Sequence, residues 1–253
     1  MASTALCLRA ITGLPMFAPG DDLALLLGDA MQAAPPGEGD VLVIAQKIVS
    51  KAEGRIVEIA SVSPSARAIA LAEEVGKDPR VVEVILGEAV RVVRARPNLL
   101  IVEHKRGWVM ANAGIDQSNV DHSGGGRLLL LPEDPDASAE RLRAALSARF
   151  GVRLGVVIND SFGRAWRRGT AGIAIGAAGL PGLVDLRGAP DLFGRILEVS
   201  IIGYADEIAA AASLLMGQAS EGQPAVLVSG LRWTAPDGTA ADLVRPPAED
   251  LFR

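Results

Sequence analysis

The chain has 253 residues, 49% of them hydrophobic, a formal net charge of −5, an isoelectric point near 5.2 and one cysteine. That length and apolar content suffice for one large domain or two small ones sharing a core, while the acidic balance lacks the basic stripe of a nucleic-acid-binding domain. A lone Cys7 excludes an intramolecular disulfide and a cysteine-rich zinc site, and with neither a leader-like N-terminus nor a run nearing the roughly 20 apolar residues of a membrane span the chain reads as soluble and cytoplasmic, without membrane or nucleic-acid partners.

Aromatic residues are only 4% of the chain, so the core is built from Ala, Val, Leu and Ile. Cys7, among apolar neighbours, reads as packed rather than reactive. Asp40-Val41-Leu42-Val43-Ile44-Ala45 follows the turn signals Pro35-Pro36-Gly37 and Gly39 and reads as a buried strand, with Lys47 and Lys51 close behind it. Ser63 and Pro64 read as the N-cap and first residue of a helix through Ala66, Ile69, Ala70 and Val75. Residues 81–86 and 99–103 read as further strands. His104 follows the second of these as a strand-end surface residue, with a general base as its functional alternative. Residues 123–126 form a polar loop, read as a connector. Residues 135–150 have helical spacing, and Gly151 stops that helix before a strand ending at Ile158. A second strong helix spans residues 204–216, with Asp206 and Glu207 in its first turn and Gly217 at its end. Residues 224–229 read as a final buried strand. Helices and strands alternate without a short regular period, which favours an α+β fold of mixed sheets and helices over a solenoid or propeller and leaves the strand order unread.

The stretch Asn159-Asp160-Ser161-Phe162-Gly163-Arg164-Ala165-Trp166-Arg167-Arg168-Gly169 carries the most chemistry. It puts a carboxylate and a hydroxyl beside three guanidinium groups at the end of an apolar run. Oxygen donors suit Mg²⁺ or Mn²⁺, and arginines match phosphate oxygens; the alternative is a polar turn with surface ion pairs. Ala111-Asn112-Ala113-Gly114-Ile115-Asp116-Gln117-Ser118-Asn119 is either a tight loop approaching a cation or ribose, or an Asx-rich turn after a strand. Asp116 and Asp160 together supply the one or two carboxylates that a metal-bound triphosphate takes, with Lys51, Arg164 and Arg167 offsetting charge on a transferring phosphoryl group. No G-x-x-x-x-G-K-[ST] string occurs, and no G-x-G-x-x-G string follows a strand to open a helix, so any nucleotide site is of another type.

Gly13-Leu14-Pro15 with Pro19-Gly20-Asp21-Asp22, Lys51-Ala52-Glu53-Gly54-Arg55, Ala111-Asn112-Ala113-Gly114-Ile115-Asp116, the 159–169 stretch, Asp206-Glu207-Ile208-Ala209 and the closing Asp250-Leu251-Phe252 resemble, in order, the coenzyme F420-0:L-glutamate ligase family. The resemblance covers about residues 11–252. It implies a GTP-dependent amide ligase that joins L-glutamate to the lactyl carboxylate of coenzyme F420-0, extends a γ-linked glutamate tail, and releases GDP and phosphate. It further implies two divalent cations (Mg²⁺ or Mn²⁺), a K⁺-type monovalent cation, a homodimer, and one ligase domain over residues 1–253 made of two intertwined parts. Some relatives carry a flavin-binding domain after this one, and no such domain is expected here.

Carried over singly, Leu14, Pro15, Met16, Phe17, Gln46, Lys47 and Lys51 resemble the early nucleotide contacts and Asn119 a later one. The loop of Met216, Gly217, Gln218, Ala219, Ser220, Glu221, Gly222 and Gln223 resembles a further nucleotide contact. Asp116 and Asp160 resemble ligands of a first metal. Ser161 stands where the family usually has a threonine near the second metal, and Gln218 where relatives carry a glutamate, which removes a negative charge. Lys51 and Arg164 take the catalytic role of stabilising developing charge, whereas Arg168 reads as solvated. Ala165 replaces a proline common after the Gly-Arg pair, with an effect on loop stiffness. The rival readings are a metal-dependent phosphatase or nucleotidase using the same carboxylates, and a nucleotide-binding protein without turnover.

Overall fold

A computed structural model describes residues 5–118 and 126–250. In chain order its elements are β1 (Cys7–Ala10), α1 (Leu23–Met31), β2 (Val41–Ala45), α2 (Gln46–Ala52), β3 (Ile56–Glu58), α3 (Ala66–Val75), α4 (Pro79–Glu88), β4 (Ala89–Arg96), β5 (Leu99–His104), β6 (Val109–Ala111), β7 (Arg127–Leu129), α5 (Pro135–Phe150), β8 (Gly155–Gly163), β9 (Thr170–Ala178), β10 (Val184–Asp185), β11 (Ile201–Ile202), α6 (Tyr204–Met216) and β12 (Ala225–Ser229). The class is α+β, as expected. Among the described residues no helix is long and apolar enough to cross a membrane.

The main sheet has the order β1-β12-β2-β8-β9. Only β2 and β8 run parallel, and they are central; the other pairs are antiparallel. Central strands must be apolar on both faces, and Val41, Leu42, Val43 and Ile44 with Val156, Val157 and Ile158 meet that demand at 0% exposure. One face packs against α1 and α5 through Leu27, Met31, Leu142 and Leu146. The other packs against α6 through Ile208, Ala209 and Ala212. The edge strand β9 is rich in small residues because helices press on it closely. A side chain at Gly176 would run into Pro135 of α5, and one at Gly172 into Ser213 and the Ala209 carbonyl of α6. A smaller core joins α3 and α4 to the β4-β5-β6 sheet through Val75, Val82, Ile85, Leu100 and Val102.

The structure corrects several expectations. Residues 81–86 are helical, not a strand: the Asp78 carboxylate caps the Arg80 N–H at 2.8 Å, Pro79 occupies the first turn, and buried Val82 and Ile85 are three apart on one face. A cap and a proline outweighed the β-branched run. The preceding helix starts two residues later than expected, capped by Ser65 rather than Ser63, and ends on Gly76 at φ +67°. Cys7 is exposed, since β1 is a sheet edge. The strand expected to end at Ile158 runs on to Gly163, because β9 pairs along its whole length. Of the 123–126 loop, residues 123–125 lie outside the described residues.

His104 is buried at 4% exposure, not on the surface. Its ring stacks on Trp108 at 5.2 Å between centroids, its Nδ1 accepts the Arg106 N–H at 3.0 Å, and Nε2 has no hydrogen-bond partner among the described residues. Burial pushes the imidazole down to about 4, against the pull of the Glu88 carboxylate. The folded value lies below the unfolded 6.5, so the unfolded chain binds the extra proton. Stability is complete above pH 6.5 and is lost as pH falls towards 4. We expect a loss of about 2 kcal/mol between pH 7 and pH 5 from this group. Chemical denaturation at both pH values should show a smaller loss in His104→Gln, and equal losses would remove His104 as the cause.

Candidate active site

The parallel pair sets the site. Ala45 of β2 is in register with Asn159 of β8, so both strands deliver their next residues to one place, and the crevice beyond the carboxyl ends of parallel strands is where α/β folds bind ligands. From β2 the chain turns directly into α2, whose first residues are Gln46 and Lys47. Lys51 lies one turn on, at the i+4 position that shares a helix face with Lys47. From β8 come Asn159, Asp160 and Ser161. Asp116 arrives from the other side, on a segment fixed by a two-way bridge with Leu129, each N–H to carbonyl distance being 2.9 Å.

These residues line a cavity of about 640 Å³. Leu14, Pro15, Met16 and Phe17 form one wall after β1. The loop that follows α6 forms another, through Met216, Gly217, Gln218, Ala219, Ser220, Glu221, Gly222 and Gln223. Gly217 is at φ +71° where α6 stops, and a side chain there would collide with Glu221. Every sequence-singled binding and metal residue among the described residues therefore reaches one cavity. Arg164 does not line it; its guanidinium donates to the Arg168 carbonyl at 3.2 Å. Asn119 lies outside the described residues.

Inside, the charges are unevenly paired. Lys47 Nζ lies 2.6 Å from Asp116 Oδ2 and donates to Ser118 Oγ at 2.9 Å, while Ser118 donates N–H and O–H to Asp116 Oδ1 at 2.7 and 2.8 Å. Burial alone would raise the Asp116 carboxyl, but the Lys47 and Ser118 hydrogen bonds outweigh it and hold the group below its ordinary value. Asp160 has no such clamp. Its burial, reinforced by the Asp116 charge, pushes the carboxyl up to about 7 despite the Ser161 N–H and the Lys47 charge. Burial and the neighbouring Lys47 charge likewise lower Lys51, which has no ion-pair partner among the described residues. Ser161 Oγ donates to Gln218 Oε1 at 2.6 Å, tying β8 to the loop after α6.

Asn159 and Phe162 are among the lining residues that escaped the sequence reading as site residues. Asn159 is 6% exposed; its amide nitrogen donates to Ser213 Oγ at 2.9 Å, and its Oδ1 has no hydrogen-bond partner among the described residues. Phe162 lines the cavity beyond Ser161. Both sit within the stretch singled out, but only the pairing of β8 with β9 reveals which way they face. Among the described residues no three of His, Cys, Asp and Glu converge. Two carboxylates with the neutral oxygens of Ser161 and Gln218 form an all-oxygen donor set, as a hard cation that keeps water and phosphate ligands requires.

The fold and this cavity define an α+β enzyme whose site is built around paired carboxylates and lysines. The chain belongs to the F420-0:gamma-glutamyl ligase family, whose model matches residues 12–230. It is similar to the coenzyme F420:L-glutamate ligase of Methanopyrus kandleri, 48% identical over 240 residues that cover 93% of this chain and 92% of that one. The protein of the same name from Methanothermobacter thermautotrophicus is 45% identical over 247 residues, covering 96% and 97%. That from Archaeoglobus fulgidus is 44% identical over 243 residues, covering 96% and 94%.

Proposed function

We propose that the protein ligates L-glutamate to coenzyme F420-0 with GTP as the energy source, in the cytoplasm and as a homodimer. The observation that carries this reading is the convergence of residues 14–17, Gln46, Lys47, Lys51, Asp116, Asp160, Ser161 and residues 216–223 on one cavity in a chain whose residues 12–230 match the family. The γ-phosphoryl group of GTP passes to the lactyl carboxylate, giving an acyl phosphate and GDP. The glutamate amine then attacks the carbonyl carbon, the C–N bond forms, the C–O bond to phosphate breaks, and the amine proton leaves to solvent. Asp116, Asp160, Ser161 and Gln218 would hold two divalent cations, Mg²⁺ or Mn²⁺, with K⁺ as a further cation. Bound there, the cations supply charge neutralisation on the phosphate oxygens.

The protein's own groups do the rest. Lys51 and Lys47 place positive charge where the transferring phosphoryl group develops negative charge. Residues 14–17 and 216–223 wrap the nucleotide and exclude water, which would otherwise hydrolyse the acyl phosphate. Side chains that stand out in solvent, Leu192 at 99%, Phe193 at 97% and Val199 at 85% exposure, support the homodimer, since burying them is favourable.

Mass spectrometry of a mixture of F420-0, L-glutamate, GTP and Mn²⁺ should show glutamyl products with GDP and phosphate in equal amounts. Carboxylate oxygen labelled with ¹⁸O should appear in the released phosphate; unlabelled phosphate would exclude the acyl phosphate. Phosphate release that ignores glutamate and F420-0 would make the protein a nucleotidase instead.

A further inference from the structure

A second cavity, of about 220 Å³, shares Phe162 with the first. Its other walls include Trp108, Ile173 and Ala174 of β9, Asp206 of α6, and Val244 of the C-terminal tail, with Arg245 also lining it. Ile173 is the partner of Asp160 across β8 and β9, so this cavity lies one strand over from the paired carboxylates. Its size is below the roughly 300 Å³ at which drug-sized pockets begin, which excludes a nucleotide and suits one small molecule.

The walls are fixed. Asp206 Oδ1 accepts the Ala174 N–H at 2.8 Å, and Oδ2 has no hydrogen-bond partner among the described residues. Trp108 meets Phe162 edge-on at 6.5 Å between centroids. The tail is anchored by a short helical turn, Ala240–Leu243, whose first N–H groups donate to Asp136 at 2.8 and 3.2 Å. Gly107, at φ +87°, packs so closely on the tail that a Cβ there would lie 2.8 Å from Val244 Cγ1. A half-used carboxylate facing aromatic and aliphatic walls is the chemistry of ammonium recognition.

We propose that this second cavity binds the amine donor, an α-amino acid held with its ammonium on Asp206 and its carboxylate towards Arg245. The inference rests on the ligase reading, because only a ligase needs an amine beside its activated carboxylate. Burial raises the Asp206 carboxyl, and an incoming ammonium offsets that cost. Phe162 lines both cavities, so the amine donor sits next to the cavity in which the acyl phosphate forms.

Calorimetric titration of the full-length protein with L-glutamate, N-acetyl-L-glutamate and GTP tests the assignment, together with steady-state kinetics. Asp206→Asn keeps the acceptor for Ala174 but loses the charge; Val244→Trp fills the cavity from the tail. Both are expected to weaken L-glutamate about tenfold or more, as loss of a charged hydrogen bond does, with GTP affinity held within about twofold. N-acetyl-L-glutamate, lacking the ammonium, should bind wild type at least about tenfold more weakly than L-glutamate. Unchanged glutamate affinity in both variants, or glutamate and GTP affinities falling together, overturns the proposal. Glutamate bound as described without any glutamyl product sinks the ligase reading and leaves the pocket standing. Product formed with an unchanged glutamate KM in both variants does the reverse.

Discussion

Replacing Asp160 by alanine is expected to lower glutamate-dependent GDP release by about 10³-fold or more while leaving the chain folded. The two halves of that expectation share one cause. Asp160 is a half-buried carboxylate whose charge is opposed by burial and by Asp116 and which has no ion-pair partner among the described residues. A group so placed costs stability in the free protein, and on the proposed reading returns it when a cation or a phosphate-bound ion arrives. Removing it therefore takes away a binding group without removing a structural one, and the melting temperature should hold or rise. Parallel assays of turnover and thermal unfolding check this. A melting temperature that drops along with activity would mean that Asp160 serves the fold.

Lys51→Met is expected to reduce turnover about 10²- to 10³-fold with little effect on the KM for glutamate. Lys47 already spends its charge on Asp116 at 2.6 Å, whereas Lys51 faces the same cavity without an ion pair among the described residues and with its pKa lowered by burial and by Lys47. Among the described residues it is a lysine left to answer charge on the phosphoryl group that the proposed reaction transfers. Lys47→Met should differ in kind, because it releases Asp116 from its clamp and weakens nucleotide and cation binding together. If Lys51→Met raises KM and leaves kcat alone, Lys51 binds the ground state rather than the transition state.

The sheet and the longest helices were legible where one physical demand acted alone. The apolar runs 41–44 and 225–228 could only be central strands, and helix 135–150 carried both its proline start and its glycine stop. Reading failed where two demands competed. Val81, Val82, Val84 and Ile85 have β-branched side chains, yet Asp78 and Pro79 nucleate a helix through them. Asp160 reads as lying at a strand end because the apolar run stops at Ile158, but β9 supplies a partner that keeps the chain extended through Gly163. His104 looked like surface because charged residues follow it, and its burial depends on Trp108 folding back across it. Asp116, Asp160 and Lys51 were grouped from their chemistry, but that residues 14–17 and 216–223 join them was read from resemblance alone, since no spacing reveals that Ser161 and Gln218, 57 residues apart, touch. The second cavity was illegible for the same reason.

Asp116 and Asp160 grow from different parts of the molecule. Asp160 rides the main sheet, whereas Asp116 hangs on the bridge to Leu129, next to Ile115, which packs against the cores of the smaller part. A ligand that engages both is a clasp across a seam. Its binding would be felt less as a local ordering than as a change in how the two cores melt, from two partly separate events towards one.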